Sequence, residues 1–192
     1  VSETDDLVAA LAPVSNALRR LGVAHYVGGS IASTFHGAIR STMDVDLVCD
    51  LTIEKVDEFL AAFHDDFYVS GPAVREAVAR HGCFNVIHLP TAFKVDVFVG
   101  RGRLFDRAAM VRAMPATLGE VDGFTVPIAT AEDSIIAKLE WFRLGDEVSQ
   151  RQWDDVSRLA KLHGETLDMA YIRRMAESVG VDDLIDRLFT AR

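Results

Sequence analysis

A change of pattern near residue 128 constrains the fold of this chain most. Before it, helix-like and strand-like segments alternate; after it, nearly every segment has helical spacing. Leu7, Val8, Leu11, Val14, Leu18 and Leu21 recur at helical spacing, although Pro13 interrupts them, so two short helices or one kinked helix fit equally. Gly22 stands where a C-terminal cap is expected. A short strand at Ala24–Val27 leads through Gly28-Gly29-Ser30 into a short helix, Ile31 to His36, which Gly37 ends. Asp44 to Val48 alternates acidic and apolar residues, the period of a strand with one buried face. An amphipathic helix through Ile53, Val56, Leu60 and Phe63 follows, then strands at Phe84–Leu89 and Phe93–Val99 and a last one at Thr125–Ile128.

Four helical segments complete the chain. The first carries Ile135, Ile136, Leu139, Phe142 and Leu144, with Thr130 and Asp133 as a capping pair. The others run from about Ser149 to Leu162, Asp168 to Val179 and Asp182 to Phe189. The fold predicted is α/β (α+β): a mixed sheet flanked by helices over residues 1–128, then a C-terminal helical bundle over 129–192.

Composition narrows the functional classes. Apolar residues make up 49% of 192, enough for a real core, and 20 Lys and Arg against 29 Asp and Glu leave a net charge of −9. Such a surface repels polyanions as a whole, which argues against a generally basic nucleic-acid-binding face and leaves room for a local basic cleft. Cys49 and Cys83 are too few for a disulfide framework and read as reduced core thiols. No apolar run is long enough to span a membrane, and the acidic start (Glu3, Asp5, Asp6) is unlike a signal peptide, so a cytoplasmic location is expected. The six histidines show no zinc-ligand spacing, and no nucleophile elbow supports Ser-His-Asp hydrolysis.

The chemistry-bearing residues sit in the α/β half. In a strand, residues two apart share a face, so Asp44 and Asp46 point the same way. Two such carboxylates repel unless a cation lies between them, and Mg²⁺ takes hard oxygen ligands of this kind. Asp96, flanked by Val95 and Val97, supplies a third acid from another strand. Gly28-Gly29-Ser30, between a strand and a helix, offers backbone N–H groups to a phosphate, and glycine lets the backbone approach it closely. Arg40, just before the acids, is either a phosphate contact or a solvated loop residue.

In order and spacing, Gly28-Gly29-Ser30, Asp44-Val45-Asp46 and Asp96 resemble the signature of the DNA polymerase β superfamily of nucleotidyltransferases. The resemblance implies that Gly28, Gly29 and Ser30 hold the phosphates of a nucleoside triphosphate. It makes Asp44, Asp46 and Asp96 the ligands of Mg²⁺ or Mn²⁺. The segments Glu132–Leu139 and Arg151–Val156 are similar to later motifs of the abortive-infection (AbiEii-type) toxin nucleotidyltransferases. That similarity makes Lys138 a phosphate-binding lysine and Asp155 a further catalytic acid. Gln152 and Val156 depart from the pattern, which has aspartate and leucine there. Without the resemblance, Lys138 reads as a snorkelling lysine, Arg151, Asp154 and Asp155 as an exposed polar face, and Trp153 as a buried anchor.

The activity implied is Mg²⁺-dependent transfer of a nucleoside monophosphate to an acceptor hydroxyl on RNA or tRNA, a small molecule or a protein. A toxin of this kind would be opposed by a protein antitoxin. The alternative is a module with the same fold that binds nucleotide or an antitoxin without turnover.

Overall fold

The computed structural model describes residues 3–38, 44–119 and 123–190. The first helix, α1 (Glu3–Arg20), precedes β1 (His25–Val27), α2 (Gly29–Phe35) and β2 (Asp44–Cys49). A single 3₁₀ turn at Ile53–Lys55 runs into α3 (Val56–Leu60), followed by β3 (Phe67–Val69), α4 (Gly71–Arg80), β4 (Cys83–His88) and β5 (Phe93–Val99). Then come α5 (Leu104–Arg112), β6 (Met114–Leu118), β7 (Phe124–Ile128), α6 (Ala131–Leu144), α7 (Gln150–His163), α8 (Met169–Val179) and α9 (Asp182–Thr190).

Of the two arrangements open for the first segment, α1 is one helix through Pro13. An interior proline costs about 3 kcal/mol. Leu11, Val14 and Leu18 are fully buried, and each such side chain contributes about 1.5–3 kcal/mol, so burial outweighs the lost hydrogen bond. The helix stops at Gly22, whose φ of +63° suits glycine. There Gly22 N–H bonds Arg19 O at 3.0 Å and Val23 N–H bonds Leu18 O at 2.9 Å. Beneath α1, buried Ser15 Oγ meets His25 Nε2 at 2.7 Å, and the His25 Nδ1 side faces Val23 O at 3.0 Å. Burial holds the pKa of His25 below its ordinary value.

The strands form one mixed sheet in the order β3-β4-β5-β2-β1-β7-β6. β2–β5 and β1–β7 are parallel and the remaining neighbours antiparallel. Alternation gives the central strands two unlike faces. Val45, Leu47, Val95 and Val97 are completely buried on one, where α1 crosses β2, β4 and β5. Asp44, Asp46, Lys94 and Asp96 share the other, on the side where α2 packs against β2 and α6.

Four elements were not expected from the sequence: β3, α4, α5 and β6. β3 and β6 are the sheet's two edges, and β6 contains Pro115, which an edge strand tolerates because no neighbour needs its N–H. Among the described residues no helix is long and apolar enough to cross a membrane.

Candidate active site

The β2–β5 register sets the geometry. Asp46 lies directly opposite Asp96, and Asp44 directly opposite Lys94. All four side chains therefore stand on one face of two adjacent strands, about 4.8 Å apart. The Lys94 ammonium lies 2.9 Å from Asp96 Oδ2 and 3.5 Å from Asp44 Oδ1, and Asn85 on β4 donates to Asp96 Oδ1.

After β1 the chain crosses against Asp46. Gly28 N–H donates to the Asp46 carbonyl at 2.9 Å, and the Ser30 amide donates to the Asp46 carboxylate. Gly29 adopts φ +54°, and a Cβ built on it would lie 1.6 Å from Asp46 Oδ2. The glycine is thus required twice, by its backbone angle and by the carboxylate packed on it. Burial first, then the charge of Asp96, pushes the Asp46 pKa up, while Lys138 and the Ser30 amide act in the opposite direction.

Asp46 opens into a cavity of about 530 Å³. Its wall also carries Gly28, Gly29, Ser30, Lys138 and Asp155, so six of the eight residues that the sequence resemblance assigns to the site meet there. Asp44 and Asp96 do not line it; Asp44 is exposed, and Asp96 reaches the site through Asp46. Lys138 and Asp155 are both buried and paired at 2.9 Å, so neither the snorkelling lysine nor the exposed acid of the plainer reading is found. Arg151 and Gln152, from the first turn of α7, line the cavity, whereas Asp154 is exposed and receives a hydrogen bond from Gln150 at 2.8 Å. Trp153 is partly buried against Phe142, with ring centroids 5.4 Å apart. Cys49 is a buried free thiol as expected; Cys83, expected in the core, is exposed at the cavity wall because β4 turns it to the site face. Arg40 lies outside the described residues.

Other wall residues were not anticipated. Arg103 links Asp106 of α5 to Glu140 of α6, at 2.8 Å and 2.5 Å, and so ties the two helices across the cavity rim. Ser134 of α6, one turn before Lys138, belongs to the wall, and its Oγ is buried with no hydrogen-bond partner among the described residues. Asp133, expected only as a cap, is 1% exposed: it receives hydrogen bonds from Thr130 Oγ1 at 2.8 Å and Tyr171 OH at 2.5 Å. Arg112 covers the Tyr171 ring at 3.9 Å. This network fixes α8 to the start of α6. Tyr171→Phe removes a donor to a buried carboxylate and is expected to cost about 1.5–3 kcal/mol in urea unfolding. A loss below about 0.5 kcal/mol would show that the contact is not made in solution.

Solved structures share this architecture. The solution structure of the antibiotic-resistance factor ANT(2'')-Ia aligns with 97% of this chain and 98% of its own, at TM-score 0.52 and 13% identity. Its crystal structure in complex with adenylyl-2''-tobramycin covers 90% of this chain and 96% of its own, at TM-score 0.53 and 15% identity. An antigenic nucleotidyltransferase-like protein from Paracoccidioides brasiliensis covers 98% and 94%, at TM-score 0.53 and 16% identity. The chain has a nucleotidyltransferase-like fold. No family model and no curated protein matches the sequence. At these identities the likeness concerns the nucleotidyltransferase-like fold itself; the residues on it carry the functional argument.

A divalent ion at this site can be tested against the donors present. Asp46 and Asp96 face each other as like charges, which calls for a cation between them, and the Lys94 ammonium already stands as one between Asp96 and Asp44. The donor chemistry, all carboxylate oxygen, fits Mg²⁺ or Mn²⁺. As the side chains lie, no group of three or more acids, histidines or cysteines among the described residues is placed to hold an ion, Asp96 being held by Lys94 and Asn85.

Proposed function

We propose that this protein is a nucleotidyltransferase in which an acceptor hydroxyl attacks the α-phosphorus of a nucleoside triphosphate, takes the nucleoside monophosphate and releases pyrophosphate. The observation that carries the reading is the in-register opposition of Asp46 and Asp96, with Gly29 packed on Asp46 at the cavity wall. Asp44, Asp46 and Asp96 would hold Mg²⁺ or Mn²⁺, which when bound supplies charge stabilisation for the phosphoryl oxygens. The Gly28-Gly29-Ser30 turn fixes Asp46 through two amides and presents the close backbone approach that a phosphate needs. Lys138, buried beside Asp46, gives the cavity a positive group for the triphosphate, and Asp155 orients it. Asp96, directly opposite Asp46, is the candidate to take the acceptor's proton once its carboxylate turns from Lys94 and Asn85 toward the cavity.

For the acceptor, the cavity's volume lies in the range of small-molecule sites, and the net charge of −9 opposes a polyanion. Both features favour a small molecule over RNA. Transfer to a small molecule also fits the fold neighbour whose structure contains adenylyl-2''-tobramycin. A toxin acting on RNA and restrained by an antitoxin is the reading that the Glu132–Leu139 and Arg151–Val156 segments support. A module that binds nucleotide without turnover is favoured by one feature, the engagement of Asp96 by Lys94 and Asn85.

The test uses α-labelled nucleoside triphosphates, Mg²⁺ and cell extract separated into small-molecule, RNA and protein fractions. A new labelled product, distinct from the triphosphate and its hydrolysis products, is expected in the small-molecule fraction and should fall about 100-fold or more with Asp46→Asn. Label in RNA would transfer the assignment to the toxin reading. No label in any fraction, with nucleotide still bound, would leave the binding module.

A further inference from the structure

Lys94 belongs to neither sequence signature, yet it makes the two closest charge contacts at the acidic strands. The alternation of β5 puts Lys94 and Asp96 on one face, while Phe93 and Val95 on either side of Lys94 are buried and fix its backbone. The parallel register then places Lys94 beside Asp44 and Asp96 beside Asp46. The result is a square of four charges, three negative and one positive. Its positive corner reaches two of the three acids, at 2.9 Å and 3.5 Å.

Both oxygens of Asp96 are thereby engaged, Oδ2 by Lys94 and Oδ1 by Asn85. An Asn–carboxylate hydrogen bond leaves further lone pairs on that oxygen. An ammonium repels an incoming divalent cation as well as occupying an oxygen. We propose that Lys94 is a tethered counter-cation of the metal site: it balances Asp44 and Asp96 before metal binds, and it must leave Asp96 for that carboxylate to take a divalent ion. The inference rests on the metal-site reading above and adds a determinant of metal affinity to it. In the metal-free protein Lys94 prevents three carboxylates from repelling one another. On loading, the same group competes with the ion, so the site binds metal more weakly than its three acids alone would.

The measurement is Mn²⁺ binding to the full chain, followed by loss of the paramagnetic resonance signal of the free ion. Wild type, Lys94→Met, Lys94→Gln and Asp46→Asn are compared, each checked for folding by circular dichroism. Removing the unit charge of Lys94 from beside these carboxylates is expected to tighten Mn²⁺ binding roughly tenfold or more in both Lys94 variants. The gain should shrink at high salt, because the site is partly exposed to solvent. Lys94→Gln also guards against a folding defect in the apolar variant. Unchanged or weaker binding in both variants, with binding still dependent on Asp46, overturns the role of Lys94 and leaves the metal site standing. No Asp46-dependent binding in wild type or in either variant overturns the metal site and the inference with it.

Discussion

Gly29→Ala is expected to abolish measurable nucleotide transfer while leaving the protein folded. The residue adopts φ +54°, where an alanine is strained by about 1–2 kcal/mol. Its Cβ would also stand 1.6 Å from Asp46 Oδ2 and 2.8 Å from Asp46 Cβ, so rotation of the carboxylate alone cannot relieve the clash. Either the Gly28–Ser30 turn lifts from β2 or Asp46 swings away, and both break the Ser30 amide contact to the carboxylate. A displacement of about 1 Å at reacting groups costs on the order of 100-fold in rate, so loss of at least that size is expected. Gly180→Ala is the matched control, since it imposes the same kind of backbone strain at φ +74° with nothing within 4 Å of its Cβ, away from the cavity wall. Circular dichroism, thermal melts and the labelled-nucleotide assay on both variants check this. A Gly29→Ala protein with near-normal, Asp46-dependent transfer would mean that the close packing of Gly29 on Asp46 does not exist in the active protein.

The parts of this site that the sequence made legible are those whose geometry is local. Asp44 and Asp46 share a face because a strand has period two, and Gly28-Gly29-Ser30 had to be a turn between a strand and a helix. The role of Lys94 was invisible because it depends on which strand neighbours β5 and in what register, and no local pattern encodes either. Asp133 shows the same limit: it reads correctly as a capping residue, but its burial comes from Tyr171, 38 positions later in the chain. The fold divides similarly. The central strands and the long helices announced themselves by periodicity. β3 has three residues, none of them buried, so it presents no strong pattern, whereas Val74, Ala77 and Val78 of α4 do have helical spacing but give only a short signal from small side chains. α1 was ambiguous for an energetic reason, since whether Pro13 breaks it depends on burial supplied by the sheet beneath.

The Lys138–Asp155 pair allows structural and functional roles to be separated. Both side chains are about nine-tenths buried, at 11% and 8% exposure, and lie on α6 and α7 with a 2.9 Å contact. Lys138→Met takes the ammonium partner from the buried Asp155 carboxylate, and breaking a buried pair from one side costs about 3–5 kcal/mol. For a chain of this size each kcal/mol lowers Tm by about 2–4 °C, so a drop of about 6–20 °C is expected. Loss of activity in that variant alone would therefore say little about catalysis. The double variant Lys138→Met with Asp155→Leu removes both charges together, and apolar replacement of a buried pair is often neutral or stabilising. It is expected to recover most of the lost stability in urea unfolding, with Trp141 and Trp153 on the same two helices as reporters. Nucleotide affinity should stay at least about tenfold below wild type, because the cavity wall has lost the ammonium that acts on Asp46 and would meet the phosphates. Recovery of both stability and affinity would make the pair a structural tie between α6 and α7 and remove Lys138 from the ligand site. A cost below about 1 kcal/mol for Lys138→Met would instead mean that water reaches the pair in solution.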